Sequence, residues 1–139
     1  MTTVGELGEI LVIDWLAEAG WKIISRRWRT RYGEIDIIAL GQSPPLLAFI
    51  EVKSRSENNW DEGGKLAVDY RKQEKLSRTA AMFLSRNPQW AEYPCRFDVA
   101  LVAVETCDRS SVSDSPDCLI RDGYRLRLSQ YLENAFDYR

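Results

Sequence analysis

Two consecutive apolar runs, residues 34–40 (EIDIIAL) and 46–53 (LLAFIEVK), constrain the fold of this sequence more than any other feature. Both have the length and the β-branched content of strands, and the GQSPP between them contains two prolines that neither strand can continue through. The pattern therefore predicts a β-hairpin. Because apolar residues fall on both faces of each run, we expect both strands to lie in the interior of a sheet.

A turn centred on Ser43 and Pro44 sets the register of this hairpin. It predicts four opposed pairs near the open end: Ile37 with Ile50, Asp36 with Glu51, Ile35 with Val52, and Glu34 with Lys53. Side chains alternate along a strand with a period of two, so Asp36, Glu51 and Lys53 share one face, and Ile35 and Ile37 share the other.

Opposed carboxylates in a poorly hydrated place repel each other, so either one is protonated or a cation lies between them. Hard oxygen ligands favour Mg²⁺ or Mn²⁺, which would be held by Asp36 and Glu51. Such a centre is suited to phosphodiester hydrolysis, in which Lys53 orients the water or neutralises developing charge. The alternative is that Glu51 and Lys53 form an ordinary same-face ion pair at a solvent-exposed edge. Glu34 is assigned a structural role in either case, as a rim partner of Lys53 or of an arginine.

Histidine is absent from the chain, and the three cysteines have no CxxC spacing. The absence of histidine excludes Ser-His-Asp triads, histidine zinc sites and histidine-dependent nucleases. The cysteine pattern argues against a disulfide framework or a cysteine-ligated zinc site. Any hydrolysis must therefore depend on carboxylates and lysine.

Two helices are predicted, over residues 4–19 and from Asp69 to about Arg86, by apolar residues at helical spacing. Glu9 shares the core-facing stripe of the first helix, either as part of the site or as a first-turn carboxylate bound to helix N–H groups. Gln73 lies on the inner stripe of the second helix, where it binds a phosphate or water, or is an ordinary core glutamine.

The other elements complete an α/β order of helix, three strands, helix and strand, followed by a terminal hairpin. Residues 21–28 predict the first strand and residues 96–104 the fourth, which we expect to run parallel to the third across a right-handed helical crossover. The polar residues 57–68 and 105–117 predict loops, Asp122-Gly123 predicts a tight turn, and residues 129–136 predict a short helix. We expect one domain, residues 1–139.

Positive charge is local although the net charge is −2. Arginines interleaved with Trp28 and Tyr32 could hold nucleic-acid phosphates, or could form a solvated strand end; they are Arg26, Arg27, Arg29 and Arg31. A second basic set, diluted by Asp69 and Glu74, lies mainly on the second helix and comprises Lys65, Arg71, Lys72, Lys75 and Arg78. Arg55 joins these candidates, whereas Arg121, Arg125 and Arg127 are assigned to a solvated hairpin face. These trends favour nucleic acid over a small phosphorylated metabolite.

No run of about 18 apolar residues is present, so no membrane span is expected. Residues 1–10 lack the basic and apolar regions of a secretion signal. We expect a cytoplasmic protein.

Six short motifs occur in order over roughly residues 5–136: GELGE, GEIDIIA, FIEVKSR, KQEKLSRTA, RFDVALV and ENAF. This ordered series resembles the YraN family of small bacterial endonuclease-like proteins. That family is placed in the PD-(D/E)XK, restriction-endonuclease-like superfamily and is similar to archaeal Holliday junction resolvases. The resemblance implies a restriction-endonuclease-like αβββαβ core, a mixed sheet flanked by helices, with a C-terminal hairpin.

The resemblance also implies an activity, a Mg²⁺- or Mn²⁺-dependent endonuclease of structured or damaged DNA. Asp36 and Glu51 would be the metal ligands, Lys53 the superfamily lysine, and Glu9 the first-helix glutamate that completes the metal shell. A homodimer is expected by analogy with resolvases. Two alternatives stay open: a nucleic-acid-binding module with a vestigial centre, and a protein-interaction scaffold.

The chain departs from the family pattern at three places. Arg27 stands where the family usually has asparagine, the hairpin turn is slightly longer, and residues 60–68 (WDEGGKLAV) differ from the usual Phe-Gly and Pro. All three lie at the rim of the predicted site and not at its metal centre, so we expect them to alter substrate preference more than the reaction.

Overall fold

The computed structural model describes residues 2–56 and 69–136. The predicted loop at residues 57–68 and the basic Lys65 lie outside these ranges. In chain order the elements are α1 (Val4–Glu18), β1 (Lys22–Thr30), β2 (Gly33–Gln42), β3 (Pro45–Arg55), α2 (Tyr70–Arg86), a 3-10 turn (Pro88–Trp90), β4 (Cys95–Thr106), β5 (Ser113–Ser115), β6 (Cys118–Arg121) and β7 (Tyr124–Phe136).

Both helices begin where a side chain caps them. The Oγ1 of Thr3 accepts the N–H of Glu6 at 3.1 Å, and Oδ1 of Asp69 accepts the N–H of Lys72 at 2.9 Å. Each cap satisfies one of the free N–H groups of a helix start. The predicted helix bounds are therefore confirmed to within about one residue. Neither α1 nor α2 is long and apolar enough to cross a membrane.

The described strands form one mixed sheet in the order β1-β2-β3-β4-β7-β6-β5. β3 and β4 are parallel and adjacent, with α2 in the connection between them, and the other neighbours are antiparallel. This confirms the predicted α/β fold, the parallel crossover and the interior position of β2 and β3.

The sheet separates two hydrophobic layers. On one side α1 packs through Leu7, Leu11 and Leu16 against residues such as Ala48 and Ile50 of β3. On the other side α2 contributes Leu76, Ala80 and Phe83, which pack with Leu47 and Phe49 of the same strand. The alternation of β3 therefore decides which helix each of its side chains faces.

The hairpin of β2 and β3 has the predicted register only up to Ile37. Paired positions run from Gln42–Pro45 to Ile37–Ile50, and beyond them Oδ2 of Asp36 accepts the Val52 N–H at 2.8 Å. Ile37 packs in the α1 layer, whereas Ile35 packs in the α2 layer. The prediction that both isoleucines share a face is therefore wrong, because the strand departs from regular alternation at Asp36.

Residues 129–136, predicted as a short helix, belong to β7 instead. Leu132 pairs with Val99 and Phe136 with Phe97, and between these pairs the register shifts where Asn134 has φ 49°. Pairing with β4 overrides the local helical preference. Within the predicted loop at 105–117, residues Ser113–Ser115 form the short strand β5. The tight turn at Asp122-Gly123 is confirmed, with φ values of 56° and 85°.

Candidate active site

Glu51 is the most enclosed acid of the predicted site, with 5% of its surface exposed. It follows Phe49 by two residues on β3, so its side chain points towards the α2 layer. There its Oε1 lies 2.8 Å from Nζ of Lys72 on α2 and 3.6 Å from Nζ of Lys53. Two ammonium groups from different elements thus converge on one carboxylate oxygen.

Asp36 lies where the β2–β3 pairing stops. Burial, and then the negative charge of Glu51, raise the pKa of Asp36 to about 7, with a smaller contribution from Glu9. The hydrogen bond from the Val52 N–H opposes this rise but does not cancel it. Asp36 is therefore held among other acids in a place where its own charge is poorly stabilised.

The two lysines at Glu51 have pKa values shifted in opposite directions. Burial, and the proximity of Lys72, lower the pKa of Lys53. Burial also acts against the charge of Lys72, but its hydrogen bond to Glu51 and the charge of that carboxylate outweigh burial and raise its pKa. Lys72 is consequently the firmly charged partner of Glu51, and Lys53 is the lysine that more readily gives up its proton.

Glu9 reaches the same region from α1 but is engaged by Arg27. The Arg27 Nε donates to Oε1 of Glu9 at 2.8 Å, and its Nη2 lies 3.8 Å from Oε1 of Glu6. Arg27 has φ 49°, a left-handed conformation that only a minority of non-glycine residues adopt. Its guanidinium is thus directed to acids of α1, although the sequence predicts that it binds nucleic acid.

The other predicted nucleic-acid ligands are distributed around the site. Arg26 is exposed on β1, Arg29 pairs with Glu34 at 3.2 Å, and Nη2 of Arg31 donates to the hydroxyl of Tyr32 at 3.1 Å. Gln73 is half-buried on α2, and Arg55 is exposed at the end of β3 with its Nη1 donating to the carbonyl of Ser54. Lys72, like Arg27, contacts a predicted catalytic acid, since its Nζ lies 2.8 Å from Oε1 of Glu51.

The donor chemistry at Asp36 and Glu51 fits a hard divalent cation. Two oxygen ligands at the end of a hairpin are a typical protein contribution for Mg²⁺, which keeps several waters and takes phosphate oxygens for its other positions. The raised pKa of Asp36 is the electrostatic condition that a cation would relieve. Among residues 2–56 and 69–136, no three His, Cys, Asp or Glu side chains form a group that could hold a metal ion. Asp36 and Glu51 could therefore offer a cation two carboxylate ligands, and the described residues add no third acid to this pair.

A cleft of about 320 Å³ opens next to these acids, between α2 and the start of β2. Gly33 lines it on the sheet side, and Arg71, Lys72 and Lys75 line it on the helix side. Lys72 also contacts Glu51, so the cleft and the acid pair share a residue.

A second buried acid, Asp98 on β4, carries a network that the sequence analysis did not identify. It is 0% exposed and accepts hydrogen bonds from Arg96 Nε at 2.9 and 3.1 Å, from the Tyr131 hydroxyl at 2.7 Å, and from the Asn134 N–H at 2.9 Å. An acid inside an apolar strand, two residues after an arginine, is the sequence signal that could have identified it. Tyr131 and Asn134 cannot be recognised as partners when residues 129–136 are interpreted as a helix.

Comparisons with known proteins agree on one family. The model of the uncharacterised protein family UPF0102 matches residues 8–102. A UPF0102 protein of Synechocystis sp. is similar to this chain, with 45% identity over 98% of this chain and 99% of its own length. A UPF0102 protein of Nostoc sp. is 44% identical over 96% of this chain and 94% of its own, and one of Acaryochloris marina is 43% identical over 96% and 89%.

Proposed function

The chain belongs to the uncharacterised protein family UPF0102, and from this premise we propose that it is a Mg²⁺- or Mn²⁺-dependent phosphodiester hydrolase acting on nucleic acid, DNA in preference to RNA. The observation that carries the proposal is the acid pair of half-buried Asp36 and buried Glu51, with Lys53 beside Glu51. The resemblance of the motif series to YraN-type endonucleases supports the same reaction.

In this proposal Asp36 and Glu51 would hold the cation. When bound, Mg²⁺ or Mn²⁺ lowers the pKa of water and offsets negative charge on phosphate oxygens. Lys53 lies on the same strand face as Glu51, and its lowered pKa suits it to orient the attacking water or to donate a hydrogen bond to the transition state. The charge of Glu9 contributes to the raised pKa of Asp36, and the hydrogen bond from Arg27 holds the Glu9 carboxylate in place.

The test is cleavage by the purified protein of labelled branched, nicked, single-stranded and duplex DNA, and of RNA, with Mg²⁺ or Mn²⁺. We expect cleavage by the wild type and none by Glu51→Gln, with DNA binding by the variant retained. Glu105→Gln, at an exposed acid of β4, is the matched control and should cut normally. Equal cleavage by the wild type and Glu51→Gln would show a contaminant or a different centre and would refute the assignment.

A second function, nucleic-acid binding without turnover, is favoured by one observation. Glu9 and Glu51 each already carry a basic partner, Arg27 and Lys72 respectively, at 2.8 Å. A centre neutralised in this way needs no metal to be stable. This alternative predicts that the wild type binds DNA but cuts no substrate in either metal, and that Glu51→Gln changes neither result.

A further inference from the structure

Three cations share the outer face of α2. Arg71, Lys75 and Arg78 are all exposed, and at 100° per residue they fall within about 60° of one another around the helix axis. Glu74 lies at the margin of this face that is turned away from Lys72. The face, here called the α2 basic stripe, spans roughly 10 Å along the axis at 1.5 Å per residue.

The stripe borders the cleft beside the acid pair, and the acids in that cleft are already engaged. Glu34 accepts from Arg29 at 3.2 Å, and Asp69 caps α2 through the Lys72 N–H at 2.9 Å. Asp69 keeps its negative charge, but the cations that line the cleft, Arg71, Lys72 and Lys75, outnumber its acids, so the lining has a net positive charge.

The stripe extends towards the turn between β1 and β2. Arg31 lies over the Tyr32 ring, with its guanidinium carbon 5.1 Å from the ring centroid, and donates to the Tyr32 hydroxyl. The hydrogen bond and charge of Arg31 lower the pKa of Tyr32, and the charge of Arg78 adds to this effect. Arg78 of α2 therefore lies close enough to the β1–β2 turn to act on Tyr32.

The basic stretch of β1, by contrast, is partly engaged in ion pairs. Arg27 is bound to the buried Glu9, and Arg29 forms a largely exposed pair with Glu34. Strand β1 therefore offers fewer uncommitted charges than its sequence indicates, so the main phosphate contacts belong elsewhere.

We propose that the phosphate backbone of DNA binds along the α2 basic stripe and enters the cleft at Lys72, which places one phosphate beside Glu51. The substrate class rests on the proposed function, but the location of binding does not depend on cleavage. Contacts made by exposed Arg and Lys to phosphates are independent of base sequence and depend strongly on salt.

The test is fluorescence anisotropy of a labelled DNA duplex, and of one of its single strands, with the full chain in EDTA so that no cleavage occurs. The variant R71Q/K75Q/R78Q should bind at least tenfold more weakly than the wild type. Its slope of log K against log salt should be less steep by about 0.9 for each duplex phosphate that the variant no longer neutralises. The matched control K22Q/R109Q/R125Q removes the same number of charges from exposed positions elsewhere and should bind nearly normally.

Three outcomes would overturn the proposal: equal weakening by both triple variants, weakening by the control alone, or no DNA binding by the wild type at low salt. Urea unfolding of each variant verifies that it is folded. If the stripe variant binds normally while the wild type cuts DNA and Glu51→Gln does not, this inference fails and the proposed hydrolase stands. If the stripe variant loses binding while the wild type cuts nothing, the proposed hydrolase fails and this inference stands.

Discussion

Two acid centres lie on opposite faces of the same sheet, and they differ in how well the surrounding residues stabilise the charge of the acids. Asp98 is flanked on β4 by Phe97 and Val99 of the α2 layer, so it points to the α1 side, where three residues donate to its carboxylate. Glu51 points to the α2 side, next to Asp36, whose pKa is raised to about 7. The first acid is satisfied by its surroundings, whereas the second centre contains an acid whose charge is penalised.

This difference in stabilisation indicates a structural role for Asp98 and a chemical role for Asp36. Buried polar groups are normally hydrogen-bonded, because an unpaired group loses its hydration without compensation. Asp98 follows this rule and ties β7 to β4. Asp36 accepts the Val52 N–H, but burial and the charge of Glu51 still raise its pKa, and strongly perturbed acids are concentrated at functional sites. The comparison predicts that substitutions at the two centres affect different properties.

The largest effect on stability is expected at the satisfied centre. Asp98→Ala would leave the Arg96 guanidinium, the Tyr131 hydroxyl and the Asn134 N–H without their acceptor. We expect a loss of about 3–5 kcal/mol in the free energy of unfolding, as for a broken buried ion pair. Urea unfolding measures it. A loss below about 1 kcal/mol would show that the two centres do not differ as described.

The next effect concerns Asp36 and its dependence on pH. Its pKa is 3.8 ordinarily and about 7 in the folded protein, so the folded state binds more protons between these values. Its contribution to stability is therefore fully present below the lower value and is lost as pH rises through the higher one, by at most about 1.4 kcal/mol per pH unit.

Asp36→Asn keeps an oxygen to accept the Val52 N–H and removes this titration. In EDTA, the variant should gain stability relative to the wild type between pH 5 and pH 8, as measured by urea unfolding. Parallel stability curves for the two proteins would contradict the raised pKa.

A smaller effect is expected on metal affinity at Lys72. Its ammonium neutralises Glu51 at 2.8 Å, so a divalent cation must compete with it. Lys72→Met should therefore tighten Mn²⁺ binding about tenfold, which corresponds to about 1.4 kcal/mol, in calorimetric titrations. Lys75→Met, which removes the same charge one turn along the helix, is the control and should change the affinity less. Weaker binding by Lys72→Met would contradict the competition.

The smallest effect is expected where an ion pair is exposed. Arg125 Nη1 lies 3.0 Å from Oε1 of Glu105, with about half or more of each side chain in solvent. Arg125→Gln should change the free energy of unfolding by about 0.5 kcal/mol or less. A change comparable to that of Asp98→Ala, measured under the same conditions, would remove the distinction between buried and exposed charges on which the comparison depends.

Much of the fold could be predicted because its signals are local. Helix caps at Thr3 and Asp69, the turn of the β2–β3 hairpin and the apolar run of β4 all lie within short stretches of sequence. The strand character of residues 129–136 could not be predicted, since it depends on pairing with β4 and on the Asn134 contact to Asp98, 36 residues away.

The candidate site could be predicted in part for the same reason. Glu51 and Lys53 share a face because of the regular alternation of β3, whereas the regular pairing of β2 with β3 ends at Ile37, one residue from Asp36. The pairing of Lys72 with Glu51 joins a helix to a strand, and the pairing of Arg27 with Glu9 joins a strand to a different helix. Such contacts depend on how layers pack, which spacing along one element does not determine.

Ile35 and Ile37, the two neighbours of Asp36, are anchored in different hydrophobic layers on opposite sides of the sheet. The peptide that carries the acid is therefore fixed from above and below, and neither layer can shift without moving the carboxylate. Close-packed interiors transmit such displacements rather than absorb them. Ile35→Val and Ile37→Val would each loosen the packing on one side of Asp36. The position of its carboxylate therefore depends on both hydrophobic layers and not on β2 alone.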